Sequence, residues 1–563
     1  MTSAIQARNL RFKYQRGKSF AINGIDFEQS KGEAVAIAGR AGAGKSSFLF
    51  CLNRIVPNFY RGDFSGEIEI FSEPTAGKQT YQLADKIGLI LQDFESQLFS
   101  TRAELEVAFG PENLGVPRPE MAKRIEQALQ AVGMQDFRNR EPESLSGGEK
   151  QRLAIAGVLA LQPELILFDE ATTDLDPVGR GQVRELIRRL KQEGRTVLLV
   201  DYEPEDLLLA DRIVILDRGK VIADAKADQI LRDPSLQIAN GIRPPEMAEL
   251  FQGLGISEKE LDPVKAGQAL KAKNLKLNPG VLEEIKKADA AAGKERGEVL
   301  IRVEGLEHIY PAGNRALSGI DLEVCSGDFL AIIGQNGSGK TTLVKHLNGL
   351  LPATKGAVFF GGREVIPEMI SDLGKELGYV FQNPDHQIFC HRVFDEAAFA
   401  PRNFGFSESQ VKQRAGEALA LVGLSGREDE HPFLMTKGER QRLAIAGILS
   451  ARPRALIFDE PTTGLDYLEQ QRVMNLLKRL NEQGNTIIII THTLWLAARY
   501  ASRVMVMARG KKILEGTARE VLSRPEILRQ ASLTPPEITR FGLEFGFGFL
   551  KVEEAVKALR RDG

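Results

Sequence analysis

A chain of 563 residues is too long for one hydrophobic core, so two or more domains are expected. Its 74 basic and 76 acidic residues nearly cancel, which gives no global field to argue for nucleic acid or for a membrane surface held by charge alone. Three scattered cysteines, Cys51, Cys325 and Cys390, exclude a disulfide framework and a CxxC metal site and fit a reducing compartment.

In chain order, MTSAIQARNLRFKYQ comes first and lacks the apolar core of a signal peptide. The apolar run 34–38 leads into residues 39–46, a match to G-x-x-x-x-G-K-[ST]. LILQDFESQLF follows, then LSGGEKQRLAIAG, then the apolar run 165–168 opening into FDEATTDLD, then TVLLVDY. The order restarts about 290 residues later with GDFLAIIGQNGSGKTT, GYVFQNPDHQIF, MTKGERQRLAIAG, ALIFDEPTTGLD and TIIIITH. That period is too long for a solenoid and reads as a duplicated domain. The runs 34–38, 165–168, 330–333 and 456–458 are short, apolar throughout and therefore predicted as strands buried on both faces of a parallel sheet. Each half ends in a similar tail, IRPPEMAELFQGLG and LTPPEITRFGLEFG, and the charged stretch between the halves is poor in large apolar residues. The expected division is a first domain over 1–240, its C-terminal extension over 241–270, a linker over 271–299, a second domain over 300–530 and its extension over 531–563. No apolar run approaches the roughly 20 residues that cross a bilayer, so a role in transport calls for separate membrane subunits.

The two glycine-rich segments are predicted phosphate cradles. Gly39, Gly42 and Gly44, and Gly334, Gly337 and Gly339, let successive N–H groups and a helix N-terminus face an anion. Lys45 and Lys340 would reach the β and γ phosphates. Ser46 and Thr341 would join a Mg²⁺ shell, beside Ser47 and Thr342. Asp169 and Asp459, at strand ends, are the candidate Mg²⁺ carboxylates, and Glu170 and Glu460 the candidates for orienting an attacking water.

The order of P-loop, LSGGE and FDEATTDLD or FDEPTTGLD resembles the ATP-binding cassette (ABC) ATPases, and the resemblance covers nearly the whole chain twice. It implies an α/β fold of two tandem P-loop NTPase domains, each with a parallel-sheet core, a helical subdomain and a short C-terminal extension. In that family two cassettes close head to tail, each ATP lying between the P-loop of one and the signature of the other. The resemblance places Ser146, Gly147 and Gly148, and Thr436 and Gly438, in the signatures, and Gln92 and Gln382 in the glutamine loops, near Mg²⁺ and the catalytic water. Asp176 and Asp466 are the aspartates after the catalytic glutamates. Tyr14 and Tyr310 stand where an aromatic stacks on adenine, or they are buried strand aromatics. The family's histidine at the γ-phosphate is His492 in the second half; in the first, Tyr202 stands there, and residues 1–307 contain no histidine.

Head-to-tail pairing puts both departures into one composite site. Site one joins Lys45, Glu170 and Tyr202 to MTKGE, and site two joins Lys340, Glu460 and His492 to LSGGE. Thr436 keeps a hydroxyl, whereas Lys437 replaces a glycine where backbone approaches phosphate and removes tolerance for unusual φ/ψ. The expectation is slow turnover at site one and hydrolysis at site two, with drift that leaves both sites active as the alternative.

The segments after each glutamine, together with the RPPE and TPPE tails, resemble the ATPases of energy-coupling factor (ECF) importers of vitamins, their precursors or transition-metal ions. This implies a transmembrane scaffold subunit docking near Gln92 and Gln382, a substrate-binding membrane subunit, and a place on the cytoplasmic face of the membrane through those partners. Nucleic acid is not expected as a partner. Phe94, Phe99 and Phe389 are docking contacts or core. The alternatives are a tandem ATPase of a sugar-type importer and a soluble ABC ATPase acting in translation, although the basic arm or iron–sulfur cysteines of that class are not visible. The histidines other than His492 are dispersed and read as core or surface residues.

Overall fold

The computed structural model describes residues 3–173, 175–294, 297–311 and 313–559, with side chains outside 291–296. The chain divides into two compact units, Met1–Pro245 and Glu246–Gly563.

In the first unit, a six-stranded sheet runs in the order Lys220–Lys226, Arg212–Asp217, Ala34–Ala38, Thr196–Val200, Leu165–Asp169, Ile87–Ile90. All neighbours are parallel except the first pair. Ala34–Ala38, Leu165–Asp169 and Thr196–Val200 are buried at every position, which is why they read as unbroken apolar runs. A second, antiparallel sheet, not anticipated from the motifs, pairs Ser3–Tyr14 with Ile22–Ser30 on one side and Gly62–Ile70 on the other. Helices Ala103–Asn113, Arg118–Ala131 and Gly147–Leu159 form the helical layer that carries the signature.

The second unit repeats this plan. Its mixed sheet runs Leu377–Val380, Ala455–Asp459, Thr486–Thr491, Phe329–Ile333, Arg503–Ala508, Lys511–Thr517, and its helical layer is Val393–Asn403, Glu408–Leu421 and Lys437–Leu449. Glu246–Leu254 and Pro263–Ala272, from the first tail, belong to this unit and lie against Val552–Leu559 and Glu537–Leu543. Met247, Leu250 and Phe251 share one core with Ile538, Phe541 and Phe549. The segment expected as linker contains a helix, Pro279–Lys294, whose Val281, Leu282 and Ile285 pack on that core.

The repeated PPE sequence has a structural use. The backbone N–H of Glu246 donates to Glu537 Oε2 at 2.9 Å, and the N–H of Ile538 donates to Glu246 Oε2 at 2.7 Å. Each tail thus supplies the carboxylate that satisfies an orphan donor at the start of the other tail's helix, where a negative charge also favours the helix dipole.

Candidate nucleotide sites

In both halves a wholly apolar strand delivers the chain into the glycine loop and then straight into a helix, Lys45–Leu52 or Lys340–Leu347. Gly44 and Gly339 cap those helices with φ of 103° and 98°, and a Cβ at either position would overlap the carbonyl of Ala21 or Ala316. Only glycine fits there. Lys45 donates to the Gly39 and Arg40 carbonyls at 2.9 and 3.1 Å, and Lys340 to those of Gly334 and Gln335 at 2.8 and 2.9 Å. Each ammonium is therefore folded back into its own loop. The cradle that the glycines leave open, the buried Ser338 Oγ with no hydrogen-bond partner among the described residues, and the lysine together fit a polyphosphate.

Beside each cradle lies a carboxylate pair. Ser46 Oγ donates to Asp169 Oδ1 at 3.0 Å; burial and the neighbouring Glu170 push Asp169 up to about 7, against Ser46 and Lys45. In the second half Tyr379 donates to Asp459 Oδ2 at 3.0 Å and Thr341 also bonds it, while burial and Glu460 raise its pKa. A hydroxyl next to a buried carboxylate is a donor set suited to Mg²⁺. Glu170 and Glu460 both hold φ of 47°, a left-handed conformation that is strained for a non-glycine residue and persists only where surroundings impose it.

The halves differ at the glutamates. Glu460 accepts from Thr463 at 3.0 Å and lies 2.8 Å from His492 Nδ1. Burial raises its pKa, but His492, Lys340 and Thr463 outweigh this and hold it at about 2. Glu170 instead accepts from Gln92 Nε2 at 2.9 Å and lies 3.8 Å from Lys45. Tyr202 is buried and bonds Thr173; burial and the carboxylates of Glu170, Glu203 and Asp201 raise its pKa well above the phenol value, so it stays neutral. The Gln382 side chain stands exposed and makes no hydrogen bond among the described residues, unlike Gln92.

The signature segments start helices in the same way. Ser146 caps Gly147–Leu159, with its Oγ accepting from Glu149 N–H at 3.4 Å and Glu149 accepting from Ser146 N–H at 2.8 Å. Thr436 and Glu439 repeat that box at 3.3 and 2.8 Å. Gly147, Gly148, Gly438 and Lys437 all lie in the first helical turn and none has a positive φ. The expectation that Lys437 forfeits a special backbone conformation is therefore corrected: only bulk and charge are added, because a residue inside the first turn has ordinary helical φ/ψ. Lys437 lies over Gly464, where a methyl group would overlap its Nζ. Asp176 and Asp466 act as N-caps, accepting from Gly179 and Glu469 at 2.9 and 3.0 Å.

Tyr14 and Tyr310 are half-buried and tied to the P-loop helices through Ser47 at 2.9 Å and Thr342 at 3.0 Å. Phe94 is core, whereas Phe99 and Phe389 are 61 % and 56 % exposed, each edge-on to a second exposed phenylalanine, Phe109 or Phe399, at 4.5 Å.

Motif reading missed a buried ion-pair network in the first half. Arg243, from the RPPE segment, donates to Glu203 and to both oxygens of Glu205 at 3.0 Å. Arg184 grips Asp206 bidentately at 2.8 Å. These carboxylates follow Tyr202 directly. Aligning the halves shows Thr493, Trp495, Leu496, Met474 and Thr534 at the corresponding positions, and that contrast was the available signal. A buried histidine pair in the second half, His308 Nδ1 to His346 Nε2 at 3.1 Å, likewise replaces Phe12 and Cys51.

Among the described residues, no helix is long and apolar enough to cross a membrane. The family model described as ABC transporter matches residues 22–173 and 317–463. A provisionally named ABC transporter ATP-binding protein of Caldanaerobacter subterraneus is 44% identical over 99% of this chain and 99% of its own length. One from Methanosarcina acetivorans is 38% identical over 96% of this chain and 90% of its own. Among solved structures, cbiO1 from Clostridium perfringens, described as part of the ABC transporter complex cbiONQ, is 34% identical, with 42% of this chain and 94% of that chain covered and a TM-score of 0.39. With two cradles, two carboxylate pairs and two capped signature helices in one chain, this protein belongs to the ABC transporter family, as a tandem pair of ATP-hydrolysing nucleotide-binding domains.

Proposed function

We propose that the chain energises an ECF-type importer of a vitamin, a vitamin precursor or a transition-metal ion, holding ATP at site one and hydrolysing it at site two. The observation that carries the division of labour is the pairing of His492 Nδ1 with Glu460 at 2.8 Å, against a neutral Tyr202 bonded to Thr173. Glu460, ionised, accepts the proton of the attacking water. His492, beside Glu460 through Nδ1, is the imidazole that would meet the γ-phosphate. Tyr202 has one hydroxyl, already engaged, and no imidazole proton chemistry. Lys340, with the backbone N–H groups that follow it, carries the phosphates' charge, and the family's head-to-tail closure would bring Ser146, at the start of its helix, to the γ-phosphate. Ser46 with Asp169, and Thr341 with Asp459, would hold Mg²⁺, with Gln92 and Gln382 alongside; when bound, the ion neutralises charge on the β and γ oxygens.

The ECF reading is supported by the repeated segments after Gln92 and Gln382 and by the PPE tails, which the reciprocal Glu246 and Glu537 caps knit together. The exposed Phe99 and Phe389 pairs offer apolar surface to a scaffold subunit. The test is steady-state ATPase activity of the assembled transporter. Glu460→Gln should lower it by about 10² or more and Glu170→Gln far less; the reverse pattern sinks the assignment. Co-purification with ribosomes in place of membrane subunits would sink the importer reading.

A further inference from the structure

The first half carries aromatic surface beside its P-loop that the second half lacks. Strand Gly62–Ile70 has nine residues and pairs as far as Tyr14, through Phe12 with Phe64, Lys13 with Asp63 and Tyr14 with Gly62. Its counterpart Lys355–Phe360 has six and stops at the pairing of Glu307 with Lys355. The extra pairs carry the antiparallel sheet to Tyr14 and bring the NFYR segment with it. That segment is hydrogen-bonded in place: Phe59 and Tyr60 N–H donate to the Ile55 carbonyl at 2.7 and 3.1 Å, and Gln15 N–H to the Arg61 carbonyl at 3.1 Å. The Tyr60 ring stands at 71° to Tyr14, with centroids 6.3 Å apart, and is backed by Phe50, stacked at 6.0 Å. Tyr60 remains 46 % exposed. The matching residues of the second half read LLPAT, without an aromatic.

We infer that Tyr60 forms, with Tyr14, an aromatic corner for the purine base of the nucleotide held at the first P-loop. Tyr14 is tied to the P-loop helix through Ser47, so a base on its face lies at the mouth of the cradle. Tyr60, nearly perpendicular, meets the edge of that base, an arrangement that suits an aromatic quadrupole, or receives its face when the base turns toward it. Base–aromatic contact depends on the π face and not on catalytic geometry. Site one, altered at its phosphate end by Tyr202 and Lys437, thereby gains grip at the opposite end of the nucleotide. Its occupant is retained by its base more than by its γ-phosphate. This inference rests on the reading that the first P-loop holds a nucleotide.

The experiment uses the full chain carrying Lys340→Ala, which silences the second P-loop, and measures equilibrium binding of ATP and of inorganic tripolyphosphate. Tyr60→Ala should weaken ATP roughly 5- to 30-fold and leave tripolyphosphate within twofold, and Tyr60→Phe should bind ATP as the parent does. Unchanged ATP affinity in Tyr60→Ala, while Tyr14→Ala weakens it, overturns the corner and spares the site-one reading. Equal losses for ATP and tripolyphosphate also overturn it, since they report damage to the loop and not contact with a base. Failure of the Lys340→Ala chain itself to bind ATP overturns the site-one reading and the corner with it.

Discussion

Replacing Arg243 with methionine tests whether the loop after Tyr202 is held by charge. Arg243 is 7 % exposed and Glu203 9 % exposed, and their contact at 3.0 Å is shielded from water on both sides. Removing one member of such a pair leaves a buried carboxylate without its counter-charge, which costs about 3–5 kcal/mol. Glu205, with its side chain 35 % exposed, can turn to solvent and adds little. Local opening then becomes easier by a factor of roughly 10² to 4 × 10³, at about 1.4 kcal/mol per tenfold. The assay is amide hydrogen exchange by mass spectrometry, comparing peptides over 201–209 with those over 491–499, where Trp495 and Leu496 replace the carboxylates. Exchange should accelerate only in the first set, and Glu203→Gln added to Arg243→Met should recover part of the loss by removing the stranded charge. The effect also depends on pH. Burial raises the Glu205 carboxyl, but Arg243 and Arg184 outweigh it and hold it at about 2 against an ordinary 4.5. Its depressed value gives a small contribution that is present above about 4.5 and lost as pH falls toward about 2, so only that small share of the difference between variant and parent disappears in acid. An acceleration below threefold at 201–209, or one spread evenly over residues 1–245, would refute the reasoning.

Lys437→Gly combined with Tyr202→His, placed in a Glu460→Gln chain, should raise residual ATP hydrolysis by about tenfold or more, since both departures at site one are reversed; an unchanged rate would assign the silence of that site to something else. Glu537→Ala leaves the Glu246 N–H without its acceptor near the shared tail core, and each lost cap costs about 1 kcal/mol, more when the acceptor is charged. Limited proteolysis should then cut the first tail, within 246–294, sooner than in the parent, and Glu246→Ala should expose residues 537–559 in the same way.

The strands and cradles were legible because their causes are local. A strand buried on both faces has no polar position to spare, and a helix cap at φ near 100° admits only glycine, so Ala34–Ala38 and Gly44 announce themselves. The positions of Glu460 and His492 were marked by the DE pair and by the family resemblance, but their salt-bridged geometry was not legible, since it depends on two adjacent strand ends. Lys437 was misjudged because a glycine in a motif signals either a special φ or a close approach, and sequence does not say which. The helix Pro279–Lys294 was hidden by its charge, although Val281, Leu282 and Ile285 already mark one apolar stripe. Arg243 and Glu203 lie 40 residues apart and only tertiary structure brings them together.

The exchanged glutamates also set an order of events during synthesis. When residues 246–272 leave the ribosome, Met247, Leu250 and Phe251 lack the part of their core that Ile538, Phe541 and Phe549 supply, about 290 residues downstream. At 5–20 residues per second the wait is about 15–60 s. During that interval the first tail is an apolar segment waiting for its other half. A core begun by residues 247–251 is therefore closed only when residues 538–549 have been made.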